Sequence, residues 1–416
     1  MTKILRARLV FPIIGAPIEN GAVRVSGNRI VDVGPWKDFE PASEEEITDL
    51  GESILLPGLI NAHCHLDYTD MAGLLPPQKS FTDWIKLMMT TKAEWNYSEF
   101  ADSWIHGAEM LLRTGTTTVA DFEAVPELLP DVWSATPLRV ISLMEMTGVK
   151  SRRDPRAILR DNLDHMATLP GGRCRSGLAP HAPYSTAPEL LRLTAEMAQR
   201  RHLLLSIHIA ESAEEFAMYA EGRGTMFDWL RRNGRDMTDC GNASPVSQLA
   251  DYGVLGDNCL AVHVNYLAKG DAKLLARTKT NVVHCPRSHF YFEHQRFPYN
   301  TLARAKVNVC LGSDSLATVY KTRRQTVKLS MFDEMRTFAS AHTKVSPERI
   351  LQMATVNGAR ALGLVGDAGE ISKSALADLI AIPFKGKARN ATEAIVNHEG
   401  DVTVSLIDGE WAIVPQ

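Results

Sequence analysis

The stretch Gly58-Leu59-Ile60-Asn61-Ala62-His63-Cys64-His65 is the most informative part of this sequence. It combines an apolar run typical of a buried β-strand with two histidines at the end of that run. In a β-strand, residues i and i+2 project to the same face, so the imidazoles of His63 and His65 can reach one ion. Active sites of parallel α/β folds lie at the carboxyl ends of the strands, which is where this pair stands. On its own the His-x-His motif is short, and two histidines in a polar loop are the alternative interpretation.

Seven more apolar runs follow, and amphipathic stretches lie between them. The eight runs cover residues 58–63, 116–121, 139–143, 176–179, 203–208, 260–263, 281–284 and 307–311. Strands that alternate with helices form βαβ units with a parallel sheet, and eight strands are the number that closes a (β/α)8 barrel. The pattern therefore predicts an α/β protein in which residues 58–365 form a TIM barrel.

Both ends of the chain favour a second, β-rich domain. The first fifty residues hold short β-branched runs separated by turn residues. Near the carboxyl end, residues 402–407 and 411–414 flank Asp408-Gly409, and Asp-Gly between such runs is a strong hairpin signal. We expect residues 1–57 and 366–416 to form one small β-sandwich beside the barrel.

Four of the other runs end on a potential metal ligand. The residues at these strand ends are His208, His263, His284 and Asp314. A lone histidine at a strand end is more often a hydrogen-bonded structural residue than a metal ligand. Four such strand ends together with a His-x-His pair are not expected to arise by coincidence. Imidazoles with one carboxylate suit zinc, iron or manganese. The sequence predicts a divalent metal site, with zinc as the first choice and iron or manganese as alternatives.

Two further polar residues lie just beyond strand ends. Glu211 follows His208 by three residues, where a carboxylate can move protons between water and substrate. A first-turn glutamate favoured by the helix dipole is the alternative, but the Glu214-Glu215 pair already serves that dipole. His181, in Pro180-His181-Ala182-Pro183, is either a substrate contact or a histidine that fixes the loop between two prolines.

The composition argues against several other classes of protein. Over 416 residues the formal net charge is −4 and no basic block stands out, whereas nucleic-acid binders normally show a basic face. The six cysteines fit neither a zinc ribbon nor a secreted disulfide framework, which favours reduced thiols. No stretch approaches the roughly 20 apolar residues that span a bilayer, and no signal peptide is apparent. We expect a soluble, cytoplasmic protein that binds neither nucleic acid nor membranes.

Taken together, these segments resemble the amidohydrolase superfamily, in the branch that holds triazine chlorohydrolases, guanine and cytosine deaminases, and adenosine-type nucleoside deaminases. The resemblance extends over most of the chain. Its motifs are Leu56-Pro57-Gly58-Leu59-Ile60-Asn61-Ala62-His63-Cys64-His65, Gly115-Thr116-Thr117-Thr118, Pro180-His181-Ala182-Pro183, His208-Ile209-Ala210-Glu211, His284-Cys285-Pro286, Gly312-Ser313-Asp314, Asn357-Gly358-Ala359-Arg360 and Ala377-Asp378-Leu379.

The resemblance implies a site for one metal ion and a hydrolytic mechanism. The implied ligands are His63, His65, His208 and Asp314. Binuclear relatives place a carboxylated lysine at the end of the fourth strand, and no lysine closes residues 176–179 here. A divalent metal lowers the pKa of its bound water towards about 7.

The same resemblance assigns roles to the residues near that ion. Asp314 and His263 would orient the attacking water and accept its proton. Glu211 would protonate a ring nitrogen of a heterocyclic substrate, so that the adjacent ring carbon becomes electrophilic. The amine on that carbon would then leave as ammonia.

Within the branch, two segments are most similar to aminodeoxyfutalosine deaminases. These are His63-Cys64-His65-Leu66-Asp67 and the Phe81-x-x-Trp84 spacing, which makes Phe81 and Trp84 candidate substrate contacts. We expect deamination of an aminopurine nucleoside, with 6-aminodeoxyfutalosine as the first candidate. Deaminases of methylthioadenosine, S-adenosylhomocysteine or adenosine, and triazine chlorohydrolases, are the alternatives among enzymes. A barrel that has lost catalysis and binds a partner is the alternative outside enzymology, and a homodimer is common in such families.

One segment departs from the branch. Where its members usually continue His-Cys-Pro-x-Ser with asparagine, this chain has Arg287-Ser288-His289. Arg287 either binds an acidic group of a substrate or pairs with a carboxylate of the protein, and the sequence leaves both open. His289 is expected to lie in the substrate pocket and to alter its specificity.

Overall fold

The computed structural model describes residues 2–149, 153–322 and 324–415. Its strands are β1 (Thr2–Val10), β2 (Ile18–Ser26), β3 (Arg29–Pro35), β4 (Glu46–Asp49), β5 (Ser53–Pro57), β6 (Leu59–Cys64), β7 (Thr116–Glu123), β8 (Arg139–Met146), β9 (Arg175–Pro180), β10 (Leu205–Ile209), β11 (Cys259–His263), β12 (Asn281–His284), β13 (Val309–Leu311), β14 (Leu379–Pro383), β15 (Val404–Ile407) and β16 (Glu410–Ile413). Its α-helices are α1 (Phe81–Glu94), α2 (Tyr97–Arg113), α3 (Leu129–Ser134), α4 (Pro155–Thr168), α5 (Pro188–Arg201), α6 (Ala213–Glu221), α7 (Thr225–Arg232), α8 (Pro245–Asp251), α9 (Asp271–Thr278), α10 (Pro286–Tyr291), α11 (Tyr299–Arg304), α12 (Met331–Ala341), α13 (Pro347–Met353), α14 (Val356–Ala361) and α15 (Ala391–Val396).

Strands β6 to β13 form the barrel. Each pairs in parallel with the next strand along the chain. A parallel bridge between Cys64 and Asp314 brings the end of the last strand back against the first. Strands β6, β10 and β11 are buried over their whole length, as expected for a parallel sheet that helices cover. The eight predicted runs and the TIM barrel are confirmed.

Helix α2 illustrates how the sequence builds the outer layer. The side chain of Asn96 accepts hydrogen bonds from the N–H groups of Ser98 and Glu99, and the Glu99 carboxylate accepts one from the N–H of Asn96 in return. This capping box starts a helix whose buried face has the spacing of helical turns. The face contains Phe100, Trp104, Ala108 and Leu111. No helix among the residues described here is long and apolar enough to cross a membrane.

The strands of both termini join in one mixed sheet. Its order is β16-β15-β14-β5-β1-β2-β3, and β4 pairs with β1. Strands β15 and β16 meet across Asp408 and Gly409, whose φ angles of 54° and 78° are those that a tight hairpin requires. The predicted small β domain built from both ends is confirmed, and its boundaries at residues 57/58 and 365/366 stay predictions.

A buried ion cluster joins the β domain to the barrel. The guanidinium group of Arg139, at the start of β8, donates to Asp378 Oδ2 at 3.0 Å and to Asp408 Oδ1 at 3.1 Å. The side chain of Asp378 is only 2% exposed. A carboxylate removed from water requires a charged or hydrogen-bonding partner. Arg139 therefore offsets the free-energy cost of burying Asp378 where the two domains meet.

Candidate metal centre and active site

Three imidazoles and one carboxylate converge at the carboxyl ends of the barrel strands. The Nε2 atoms of His65 and His208 are 3.4 Å apart, and one ring nitrogen from each of these residues and from His63 falls within a 4.8 Å cluster. Asp314 Oδ1 lies 3.8 Å from His63 Nε2 and 3.7 Å from His65 Nε2. Ligands held about 2.1 Å from a tetrahedral zinc ion lie about 3.4 Å apart. The separations of 3.4 to 3.8 Å given above are close to what such an ion requires.

The hydrogen bonds around these rings leave nitrogen lone pairs for a cation. His208 Nδ1 lies 2.8 Å from the main-chain oxygen of His181, and because a carbonyl can only accept, the ring proton is on Nδ1 and the Nε2 lone pair is free. Within the described part of the chain, neither ring nitrogen of the fully buried His63 has a hydrogen-bond partner. Such isolation costs free energy that a bound cation would recover. The donor set fits one divalent ion of the zinc type.

Asn61 and Gly312 set the main-chain positions of these side chains. Asn61 Oδ1 accepts from the N–H of Ser313 at 3.0 Å, and the N–H of Asp314 donates to the oxygen of His63 at 3.1 Å. A Cβ atom at Gly312 would lie 2.8 Å from that same oxygen, so the close approach requires glycine. Asp314 itself has a φ of 55°, a left-handed conformation that non-glycine residues adopt mainly where the surroundings hold them.

Glu211 and His263 lie beside Asp314. Glu211 Oε1 is 3.6 Å from His263 Nε2, and one ligand atom from each of the three residues falls within a 4.8 Å cluster. Burial, together with the charges of Asp314 and Glu215, raises the pKa of Glu211 well above its usual range. Burial lowers the pKa of His263 to about 3. The pair thus combines a carboxyl group that holds its proton strongly with a neutral imidazole.

A cavity opens onto this cluster. Its volume of about 410 Å³ is within the usual range for small-molecule sites. Three of the predicted substrate contacts, Phe81, Trp84 and His181, line it. The rings of Phe81 and Trp84 stack with centroids 5.9 Å apart, and His181 Nδ1 lies 2.7 Å from Ser185 Oγ. An aromatic wall next to candidate metal ligands suits a flat heterocycle.

The cavity also contains polar residues that the sequence did not single out. Tyr68 stacks on His65 with ring centroids 5.1 Å apart. The ammonium group of Lys92 donates to Tyr68 Oη and lies 3.9 Å from Glu145 Oε2. Glu145 is near the carboxyl end of β8. This strand-end position could have identified it as a cavity residue from the sequence. Lys92 and Tyr68 lie in helical segments whose pattern carries no such signal.

The structure does not bring Arg287 and His289 to the cavity lining. The guanidinium and the N–H of Arg287 both donate to the carboxylate of Glu334, so pairing with a protein carboxylate is the role observed. His289 Nδ1 lies 2.9 Å from Asn265 Oδ1. Each side chain is engaged by another protein group away from the cavity lining, so substrate contact by Arg287 or His289 stays a prediction.

One strand-end histidine also stays outside the ligand cluster. His284 stacks on Phe297, with ring centroids 3.7 Å apart and an interplanar angle of 12°. Its pKa is lowered by burial, followed by the charges of His289 and His342. A position at a strand end therefore does not suffice to bring a histidine into this cluster.

Comparison with known proteins identifies the family to which this chain belongs. The model of the amidohydrolase family matches residues 54–412. The chain is 30% identical over 389 residues to the 5-methylthioadenosine/S-adenosylhomocysteine deaminase of Syntrophobacter fumaroxidans, and the alignment covers 89% of this chain and 82% of that protein.

Two solved structures share the fold over 99% of this chain. One is an adenosine deaminase from Xanthomonas campestris with bound zinc, at 24% identity and a TM-score of 0.84, with 93% of that chain covered. The other is the aminofutalosine deaminase of Helicobacter pylori, at 22% identity and a TM-score of 0.85, with 100% of that chain covered. Because the family model spans most of the sequence, the chain belongs to the amidohydrolase family.

Proposed function

We propose that this protein is a zinc-dependent hydrolase that removes the amino group of an aminopurine nucleoside, with 6-aminodeoxyfutalosine as the first substrate candidate. One observation carries the proposal: four metal-binding side chains converge beside an aromatic cavity, next to two groups that can transfer protons. The metal-binding residues are His63, His65, His208 and Asp314, and the proton-transferring residues are Glu211 and His263.

The comparisons support a deaminase of this kind. The curated relative and both solved structures are named as deaminases that act on adenosine-type compounds. Zinc is the ion bound in the Xanthomonas campestris structure, and three imidazoles with one carboxylate suit zinc. Iron and manganese accept the same donors, so they are the alternatives.

The positions of the side chains support a separate catalytic role for each residue. When bound, the divalent ion supplies a water molecule activated for attack at neutral pH. Glu211 donates a proton to a ring nitrogen of the substrate, which makes the neighbouring amino-bearing carbon electrophilic. His263 and Asp314 orient the attacking water and take up its proton. The water oxygen bonds to that carbon, its first proton passes to the amino group, and the C–N bond breaks so that ammonia leaves. The second proton of the water returns to Glu211 as the ring carbonyl forms.

The cavity favours a nucleoside over a small triazine. Beyond the reaction centre, Lys92 and Glu145 are the charged side chains among the described lining residues. Their free donor and acceptor capacity can be satisfied by the hydroxyl groups of a sugar. A triazine with short alkyl substituents has no hydroxyl groups to offer them, so Lys92 and Glu145 would keep only each other and Tyr68 as partners.

Ammonia release from a substrate panel tests the proposal. The panel contains 6-aminodeoxyfutalosine, 5′-methylthioadenosine, S-adenosylhomocysteine, adenosine and a chlorotriazine. We expect turnover of at least one nucleoside, and the highest kcat/KM for 6-aminodeoxyfutalosine. Turnover of the triazine with silence on all nucleosides would contradict the proposal.

Metal analysis tests the alternative of an inactive binding module. We expect about one equivalent of zinc, or of iron or manganese, in protein purified without chelator. Less than about a tenth of an equivalent, with no activity after metal addition, would favour a barrel that has lost catalysis.

A further inference from the structure

One chain of hydrogen bonds joins three consecutive loops at the carboxyl ends of the barrel strands. Glu211 follows β10, Asn265 follows β11, and His289 lies in α10 after β12. Asn265 Nδ2 donates to the main-chain oxygen of Glu211 at 2.9 Å, and Asn265 Oδ1 lies 2.9 Å from His289 Nδ1. We infer that His289 is a positioning residue that acts through Asn265 on Glu211. This inference rests on the proposed role of Glu211 in proton transfer.

The direction of each hydrogen bond follows from the donor types. The carbonyl of Glu211 can only accept, so the amide nitrogen of Asn265 faces it and the amide oxygen faces His289. His289 Nδ1 must therefore carry a proton. Burial lowers the pKa of His289 to about 4, so its ring is neutral and has one such proton to place. Without this donor the Asn265 amide could rotate by half a turn and present its oxygen to the Glu211 carbonyl.

Glu211 needs this anchor because the residue before it has a strained main chain. The preceding residue, Ala210, has a φ of 49°, in the left-handed region. The N–H groups of Ala210 and Glu211 donate to the two oxygens of Glu215 at 3.0 Å and 2.8 Å. Glu215 thus holds the amino side of the Glu211 peptide, and Asn265 holds its carbonyl side. A strained segment keeps its conformation only where neighbours determine it on both sides.

Asn265 also fixes the loop that carries His263. The φ angles of His263 and Val264 are 72° and 50°, so two successive residues adopt the left-handed conformation. The N–H of Asn265 donates to the oxygen of Ala210 at 3.0 Å. One asparagine therefore ties together the two loops that bear the proposed proton-transfer groups, and His289 sets the orientation of that asparagine.

This arrangement accounts for the departure at position 289. An asparagine there could place its amide nitrogen where His289 places Nδ1, so both residue types can donate to Asn265. The imidazole ring fills additional space, with its centroid 5.2 Å from that of His284 and 5.4 Å from that of His294. The histidine thus combines the donor with packing, outside the cavity lining.

Two substitutions at position 289 separate the donor from the packing. His289→Leu removes the donor and His289→Asn retains one at the same distance from the main chain. For any nucleoside of the panel that the wild type deaminates, we expect kcat to fall about 10- to 100-fold in the leucine variant, with KM changed by less than about threefold and metal content unchanged. The asparagine variant should stay within about threefold of wild-type kcat.

A double-mutant cycle and a matched control extend the test. Asn265→Leu should reduce kcat as His289→Leu does, and the double variant should be no slower than Asn265→Leu alone, because both changes break one chain of contacts. His294→Leu, a change in the same histidine cluster without a bond to Asn265, should leave kcat near the wild-type value. Equal losses in the leucine and asparagine variants at position 289 would overturn the inference.

Hydrogen exchange gives a readout that does not require turnover. In His289→Leu, but not in His289→Asn, the amides of residues 208–215 and 259–266 should exchange at least about threefold faster, as measured by mass spectrometry. That pattern would support the inference even if every nucleoside of the panel failed, and the failure would then count against the proposed function alone. Wild-type exchange and wild-type kcat in the leucine variant would overturn the inference.

Discussion

His208 donates its Nδ1 proton to the main-chain oxygen of His181 at 2.8 Å, so the loop after one strand sets the tautomer of a histidine on the next. The consequence is an Nε2 lone pair that points into the cluster with His63 and His65. Partners of this kind fix ring orientation and raise the basicity of a metal ligand. Pro180 and Pro183, which flank this part of the chain, restrict the main chain that presents the oxygen.

Removal of one imidazole from the centre should remove the metal. In His208→Ala, three donors remain, and we expect the zinc content of the purified protein to fall by at least about tenfold, along with the activity. His106→Ala is the control, because that half-exposed ring pairs with Asp70 and is not part of the cluster of candidate ligands. Full metal occupancy in His208→Ala, measured by plasma mass spectrometry, would show that His208 is not a ligand.

Removal of the Glu211 carboxyl group should separate metal binding from catalysis. Glu211→Gln keeps the size of the side chain, so we expect normal metal content and a kcat about 10²- to 10⁴-fold lower. The exposed Glu221, which pairs with Arg223, provides the control Glu221→Gln, with unchanged kcat. Wild-type kcat in Glu211→Gln would exclude this residue from the mechanism.

The contact of Gly312 with His63 should be intolerant of one methyl group. A Cβ atom at Gly312 would meet the oxygen, Cβ and nitrogen of His63 at 2.8–3.0 Å, so strand β6 must shift in Gly312→Ala. We expect a loss of about 2 kcal/mol in the free energy of unfolding and weaker metal binding. Gly171→Ala is the matched control, since a Cβ there meets nothing within 4 Å. Chemical denaturation that shows equal stability for the two variants would contradict this expectation.

The ion cluster between the domains should contribute to stability far more than a surface pair. Arg139→Met leaves the buried carboxylate of Asp378 without its cation, and we expect the free energy of unfolding to fall by about 3 kcal/mol. The control Arg200→Met breaks an exposed pair with Glu196 and should cost less than about 0.5 kcal/mol. A similar loss in both variants would mean that Arg139 does not secure the contact between the domains.

The aromatic wall should act in substrate binding rather than in chemistry. In Trp84→Leu the stacking surface next to Phe81 is lost, and we expect KM to rise about tenfold while kcat changes by less than about threefold. Trp36→Leu, in the β domain, should change neither constant. A fall in kcat without a change in KM would place Trp84 in the catalytic step instead.

The sequence predicted the barrel because the signal for each strand lies within a few consecutive residues. Each strand is a short apolar run between turn residues, and the histidines stand at fixed offsets from the run ends, as in Ile207-His208 and Val262-His263. The period of a strand and the rule that parallel strands end at one edge convert those offsets into proximity. Glu211, three residues after His208, lies at the predicted place for the same reason.

The roles at positions 287 and 289 could not be predicted in this way. The partner of Arg287 is Glu334, 47 residues away, and the partner of His289 is Asn265, 24 residues away. No periodicity relates such positions, because loop closure between strands brings them together. Lys92 was missed likewise, since its contact with Tyr68 depends on how α1 packs over the barrel mouth.

The sequence by itself determined the eight-stranded barrel, the β domain from both termini, and the strand ends that carry the clustered histidines and Asp314. These follow from the periods of strands and helices, which act over a few residues. Only the tertiary structure decided which strand-end histidines share one cluster and which, like His284, pack elsewhere. That choice depends on side-chain directions, left-handed turns such as those at Ala210 and Asp314, and hydrogen bonds between distant loops, all of which arise when the barrel closes.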